Sequence, residues 1–217
     1  MIIKSMLDYW KHVARQVLLK YPQSKSDTIW TWKNFKDDIL SLRGRLGVER
    51  THINFLGLSL NFETGETIDD FTGKQVNTDD LVMYFFYYSK AQEAEASNQW
   101  VNYKQLTGTC GSDVGFDHKN LEAMTEKYSQ NRKKLFTIIE QLGGKQADYG
   151  DTGYILTPLP CFRLLLVFHD KDDEFPASVR FLYNQHTIYF QPPEFLGVIA
   201  SLTLNRIVNL TNRNTET

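Results

Sequence analysis

The chain has 217 residues, 41% hydrophobic and 13% aromatic, with 24 Lys and Arg against 26 Asp and Glu, a net charge of −2. This describes a globular chain long enough to bury a core without staples. The even charge balance argues against a general nucleic-acid binder, which needs a strong positive field to displace counterions.

Met6, Tyr9, Trp10, Val13, Val17 and Tyr21 recur at three and four, which predicts a helix over 5–21. Ser5 is its expected N-cap and Pro22 its stop. The opening stretch has no apolar run of signal-peptide length, and "LVMYFFYY" and "FRLLLVF" are too short to span a bilayer, so neither a leader nor a membrane is expected. "PQSKSD" is a polar connection, and the alternation in "TIWTW" suggests a short strand.

Residues 52–62 alternate around Gly57 and read as one bent strand or two short ones. "ETGE" is a turn, "TIDDF" a short returning strand and "TGKQVN" another turn. Residues 78–91 open on a cap signal, with Asp79 and Asp80 at the positive end of a buried helix. "TGTCGSDVGFD" is a glycine-rich loop. Leu121, Met124, Tyr128, Leu135, Ile138, Ile139 and Leu142 mark a helix over 119–142, interrupted at "SQNRKK" and stopped by Gly143–Gly144. From 153 the period changes to strand, turn, strand, then "SVRFLYN" as a third strand and "TIYFQ" as a short fourth. Pro192 and Pro193 then open a helix over 193–210. With no repeat or linker, the simplest account is one α+β domain, an antiparallel sheet packed by N-terminal, central and C-terminal helices.

The sequence contains "INFLGLSLNFETGE", an aromatic helix, "QWVNYKQLTGT", "PLPCFRLLLVFHDKDDEFPASVRFLYN" and "QPPEFLGVIASLTLNRI", in that order. In this it resembles a prokaryotic family, domain of unknown function 3786, found mainly in anaerobic bacteria and archaea. The resemblance runs from about residue 50 to about 208, which leaves 1–50 as an N-terminal helical extension. It implies an accessory role near corrinoid or redox one-carbon chemistry, with no activity attached.

The charged stretch "HDKDDEF" offers metal ligands: His169, Asp170, Asp172, Asp173 and Glu174, with His186 arriving from the next strand's end. The spacing matches no EF-hand, and a solvated hairpin tip has the same composition. Phe175–Pro176 is expected to fold the phenylalanine back toward the sheet and shape the tip. A shaped acidic tip suits a basic partner or the N-terminus of a nearby helix.

Two cysteines, Cys110 and Cys161, are too few for a zinc or iron–sulfur site held by this chain alone, and they fit a reducing cytoplasm. Cys110, followed by Asp113 and His118, has the makings of a nucleophile, base and orienter, yet matches no cysteine-enzyme signature. Cys161 reads as buried and inert. Trp30, Trp32 and Tyr84 to Tyr88 read as core rather than a stacking platform. His12 reads as a surface or boundary residue, and His52 has no evident partner. These residues assign no catalytic group and no cofactor. The family resemblance, with the lack of a recognisable catalytic constellation, favours a non-catalytic domain recognising a protein or a cofactor-bearing protein. A metal enzyme built on 169–174 and a homodimer through the 193–210 helix are the competing accounts.

Overall fold

The computed structural model describes residues 2–20, 29–95, 97–108 and 118–213. Helix α1 (Ile2–Lys20) buries Met6, Trp10, Val13 and Val17 along one stripe. Ser5 is not its cap: it lies inside the helix and is exposed. The apolar stripe marks where the helix is covered, not where it begins. Tyr21 and Pro22 lie outside the described residues.

"TIWTW" forms a helix start, not a strand. Thr31 is the N-cap of α2 (Trp32–Leu40), its side chain accepting from the Asn34 amide. The Trp32 amide donates to Asp79 Oδ1 at 2.7 Å. These polar contacts capture amides that a ladder would otherwise need.

Residues 52–76 form a four-stranded antiparallel meander: β1 (His52–Phe55), β2 (Leu58–Asn61), β3 (Thr67–Asp69) and β4 (Lys74–Val76). The 52–62 stretch is two short strands. Leu56 and Gly57, at φ +55° and +75°, make the two-residue turn between them. Within "TGKQVN", expected to be all turn, Lys74–Val76 pairs with β3 as an edge strand. Its composition gives no alternating apolar signal.

Helix α3 (Asp79–Ser89) is buried along most of its length, as its composition predicts. It is followed by β5 (Trp100–Val101) and α4 (Tyr103–Thr107), which Asn102 and Gln105 start with a reciprocal capping box. Helix α5 (His118–Gln141) carries the interruption expected at "SQNRKK" as a break at Asn131, φ −149°, ψ 63°. Asn131 Oδ1 accepts from the Lys134 amide and so caps the second half of the helix.

The second sheet has the order β5, β9 (Ser178–Asn184), β8 (Phe162–His169), β7 (Thr152–Leu159), β6 (Lys145–Ala147), all antiparallel. "TIYFQ" is not its fourth strand. Gln185–Tyr189 turn as a 3-10 helix, with Asn184 accepting from the His186 amide. The Ile188 and Tyr189 carbonyls, which a ladder would need, accept instead from the Trp10 indole and the Gln92 amide.

Helix α6 (Pro193–Arg213) packs its apolar stripe inside its own chain. Leu196, Ile199 and Ala200 join a core with α1, α2, α3 and the meander. Leu204, Ile207 and Leu210 join another with α5, Tyr154 and Phe168. Both antiparallel sheets and the helices that cover them make the chain α+β. Among the described residues no helix is long and apolar enough to cross a membrane.

Candidate functional site

The acidic stretch lies at the β8–β9 connection, and its members are put to separate uses. Asp170 accepts from the Tyr128 hydroxyl and from both terminal nitrogens of Arg132, whose guanidinium also lies 4.6 Å from the Tyr128 ring centroid. The Tyr128 hydrogen bond first, with the Arg132 contacts added to it, outweighs the opposing effect of burial and holds the Asp170 carboxyl below its ordinary value. Arg132 opens the second half of α5, so the tip is tied to a helix start through a side chain rather than through backbone amides. Asp172 turns inward on its own loop, its Oδ1 accepting from the Glu174 and Phe175 amides at 2.8 and 2.6 Å.

Phe175 does not fold back. It is 65% exposed, because Asp172 and not a phenylalanine–sheet contact shapes the turn. Asp173 and Glu174 are exposed beside it. His169 Nε2 lies 2.8 Å from Arg180. His186 lies past the opposite end of β9, its Nδ1 paired with the Glu95 carbonyl. Among the described residues no group of three or more His, Cys, Asp or Glu is placed to hold a metal ion.

Cys110 and Asp113 lie outside the described residues, and His118 is the first residue of α5. Cys161 Sγ donates to the Leu46 carbonyl at 3.3 Å, beside the Tyr88 hydroxyl, which donates to the same oxygen. His12 is exposed on α1, and His52 Nδ1 lies 3.1 Å from the Thr51 hydroxyl. Trp30 stacks on Phe35 at 4.8 Å, and Phe85, Phe86, Tyr87 and Tyr88 are core, as read from the sequence.

The exception is Tyr84. Half-buried, it stacks on Phe55 at 5.6 Å and 8°, and its pKa is pushed up by burial. With Phe55, Leu56, Leu58, Leu81 and Leu202 it lines a cavity of about 260 Å³ between the β1–β2 hairpin, α3 and α6. Asp80, Asn205, Arg206 and Asn209 supply its polar side.

Arg206 is committed. Nη1 and Nη2 donate to Asp69 Oδ2 and Oδ1 at 3.0 and 2.7 Å, Nε donates to the Leu56 carbonyl at 3.2 Å, and the guanidinium lies 5.3 Å from the Phe71 ring centroid. Burial alone would raise the Asp69 pKa. The Arg206 hydrogen bonds, the Phe71 amide and the charges of Arg206 and Arg213 outweigh it and bring the carboxyl below its ordinary value. The guanidinium thus fixes the hairpin turn to α6, and Leu56 keeps its left-handed backbone there although it is not a glycine. Strain of this kind collects where a structure holds a surface in one shape.

Sequence reasoning missed this site. One signal was present: Arg206 is the only charge in "LGVIASLTLNRIVNL", and a lone charge among apolar residues needs a partner. No curated protein and no solved structure gives a significant match to the chain. The model of one family, Domain of unknown function (DUF3786), matches residues 39–206, from the end of α2 to the Arg206 that pins the groove, and the chain belongs to that family.

Proposed function

We propose that this protein is a non-catalytic accessory domain that holds an apolar side chain of a protein partner in the groove between the β1–β2 hairpin, α3 and α6. The observation that carries the reading is the groove itself: an apolar floor beside an arginine already locked by Asp69. A guanidinium with three of its five N–H donors on a carboxylate and a carbonyl is held in place and positions the surface beside it. The volume of about 260 Å³ falls below the ~300–1,000 Å³ of drug-sized ligand sites and suits one or two side chains. Family resemblance supports a cytoplasmic partner that carries a corrinoid or redox cofactor in anaerobic one-carbon metabolism.

The test is a photo-crosslinking residue at exposed Asn205, used in native extract, with and without Leu58→Glu. The expected result is one discrete adduct, identified by mass spectrometry as a corrinoid- or redox-cofactor protein and lost in the variant. An adduct pattern unchanged by Leu58→Glu, in protein whose circular dichroism is intact, overturns the assignment of the groove. A discrete, variant-sensitive adduct with a protein lacking any such cofactor keeps the groove and overturns the metabolic placement.

A further inference from the structure

Strand β8 is apolar without alternation: "FRLLLVF" turns Leu164, Leu166 and Phe168 to one face of the sheet and Leu165 and Val167 to the other. A run of that kind belongs to a strand covered on both sides, whereas an antiparallel sheet with one wet face alternates. Leu164, Leu166 and Phe168 join the two cores under the helices. Leu165 and Val167, 0% and 4% exposed, belong to neither core. The register sets Ile155 and Leu182 beside Leu165, and Gly153 and Arg180 beside Val167, all on the face turned away from the helices. Two rings reach over this face from its borders. Tyr149, in the β6–β7 turn, and Trp100, on β5, meet edge to face at 6.5 Å and 77°. Tyr149 is 41% exposed, and Trp100, Ile155 and Leu182 are half-buried. We propose that this face docks an amphipathic helix of a partner protein, apolar along one stripe and acidic on its flanks.

The charge on the face selects those flanks. Its outward strand positions carry Lys145, Arg163 and Arg180 and no Asp or Glu. Lys145 stands in register with Ile155, and Arg163 lies two residues before Leu165, so both cations border the apolar centre. The side chains of Lys145 and Arg163 make no ion pair or hydrogen bond among the described residues. Arg180 lies 2.8 Å from His169 Nε2, which brings no negative charge. The carboxylates at the border, Asp148 and Asp151, belong to the β6–β7 turn at one end of the sheet, where Asp151 accepts from the Asp170 amide. A sheet buries an apolar face under a helix whose own apolar stripe lies across the strands. Carboxylates beside that stripe meet the cations of this face, and lysines there would meet like charge. A second copy of this chain fits poorly, because it would bring the same cations face to face. The groove of the β1–β2 hairpin shares no residue with this surface, so the two sites stand or fall separately.

Fluorescence anisotropy on the full chain tests this with two labelled peptides of about 18 residues, or about five helical turns. They share one leucine stripe and carry either glutamate or lysine on its flanks. The acidic peptide is expected to bind saturably, and the basic one at least about tenfold more weakly. Leu182→Glu, at a half-buried position, is expected to weaken the acidic peptide at least about threefold. Lys145→Gln with Arg163→Gln, which keeps polar side chains at both positions, is expected to do the same and to flatten the salt dependence. That second variant carries the test if circular dichroism shows Leu182→Glu to be unfolded. Leu58→Glu, in the other groove, is expected to leave this binding unchanged, which separates failure of this proposal from failure of that one. No saturable binding of the acidic peptide, equal binding of the basic peptide, or binding lost in Leu58→Glu but kept in the charge variant overturns the proposal. So does a dimer in sedimentation that Leu182→Glu dissolves, because the face would then belong to a second copy.

Discussion

Arg206 on α6 grips Asp69 on β3 across 137 residues of chain, with side chains only 15% and 7% exposed. The pair joins the last helix to the first sheet, and its removal is asymmetric. Losing one partner leaves a buried charge alone.

Asp69→Asn or Arg206→Met is therefore expected to cost about 3–5 kcal/mol in urea unfolding at neutral pH, and the double replacement much less than the sum of the two. The pH dependence has a definite sign. Asp69 has a lowered folded pKa, so its stabilisation is complete above the ordinary carboxylate range and fades as pH falls through the lowered value. Asp69→Asn should flatten that part of the acid limb of a stability–pH curve. An unaltered acid limb would show that the pair contributes no proton linkage.

Gly57→Ala tests the hairpin turn. A Cβ there would sit 2.5 Å from Phe71 Cε2, on a backbone at φ +75°. The left-handed backbone alone costs about 1–2 kcal/mol, and displacing the Phe71 ring disturbs the face that Arg206 rests on. The expected result is a loss of at least that size by chemical denaturation, with weaker crosslinking from the groove.

Tyr128 tests the tie between the acidic tip and α5. Burial first, then its hydrogen bond to Asp170, pushes its pKa up to about 12, and Tyr154 is raised to about 12 by burial and its bond to Glu140. Both phenols keep their protons longer when folded. The stability they contribute is thus present below the ordinary tyrosine value of about 10 and lost as pH rises past it. Ultraviolet titration should show Tyr128 and Tyr154 among the late-titrating tyrosines, assigned with Tyr128→Phe and Tyr154→Phe. Asp170→Asn should bring Tyr128 part of the way down, leaving the contribution of burial. The Arg132–Asp170 pair is half exposed, so Asp170→Asn should change neutral-pH stability by less than about 1 kcal/mol.

The periodic elements were legible because burial writes itself into residue spacing. The stripes of α1, α5 and α6 and the apolar runs of β7 and β8 fall where the pattern puts them. Short elements held by polar contacts were not. β4 and β6 each contribute three residues at sheet edges, with mostly exposed side chains, so no hydrophobic pattern is required of them. Helix α2 begins at a tryptophan because Thr31 and Asp79 take its first amides, a tertiary fact invisible in "TIWTW". The groove was hidden for a related reason. Its floor and its clamp come from residues 55–58, 69, 81–84 and 202–206, and nothing local in those stretches announces that they meet. The opposite error occurred at Phe175, where local proline geometry suggested packing and a nearby carboxylate decided the turn instead.

The position of α6 bears on the order in which the chain folds. The N-terminal half of this helix supplies Leu196, Ile199 and Ala200 to one apolar cluster, and the C-terminal half supplies Leu204, Ile207 and Leu210 to the other. A nascent chain halted before residue 193 presents two unsealed oily surfaces at once, each a substrate for chaperones and proteases. Docking of this one segment zips both, so the two clusters are expected to close together rather than one after the other.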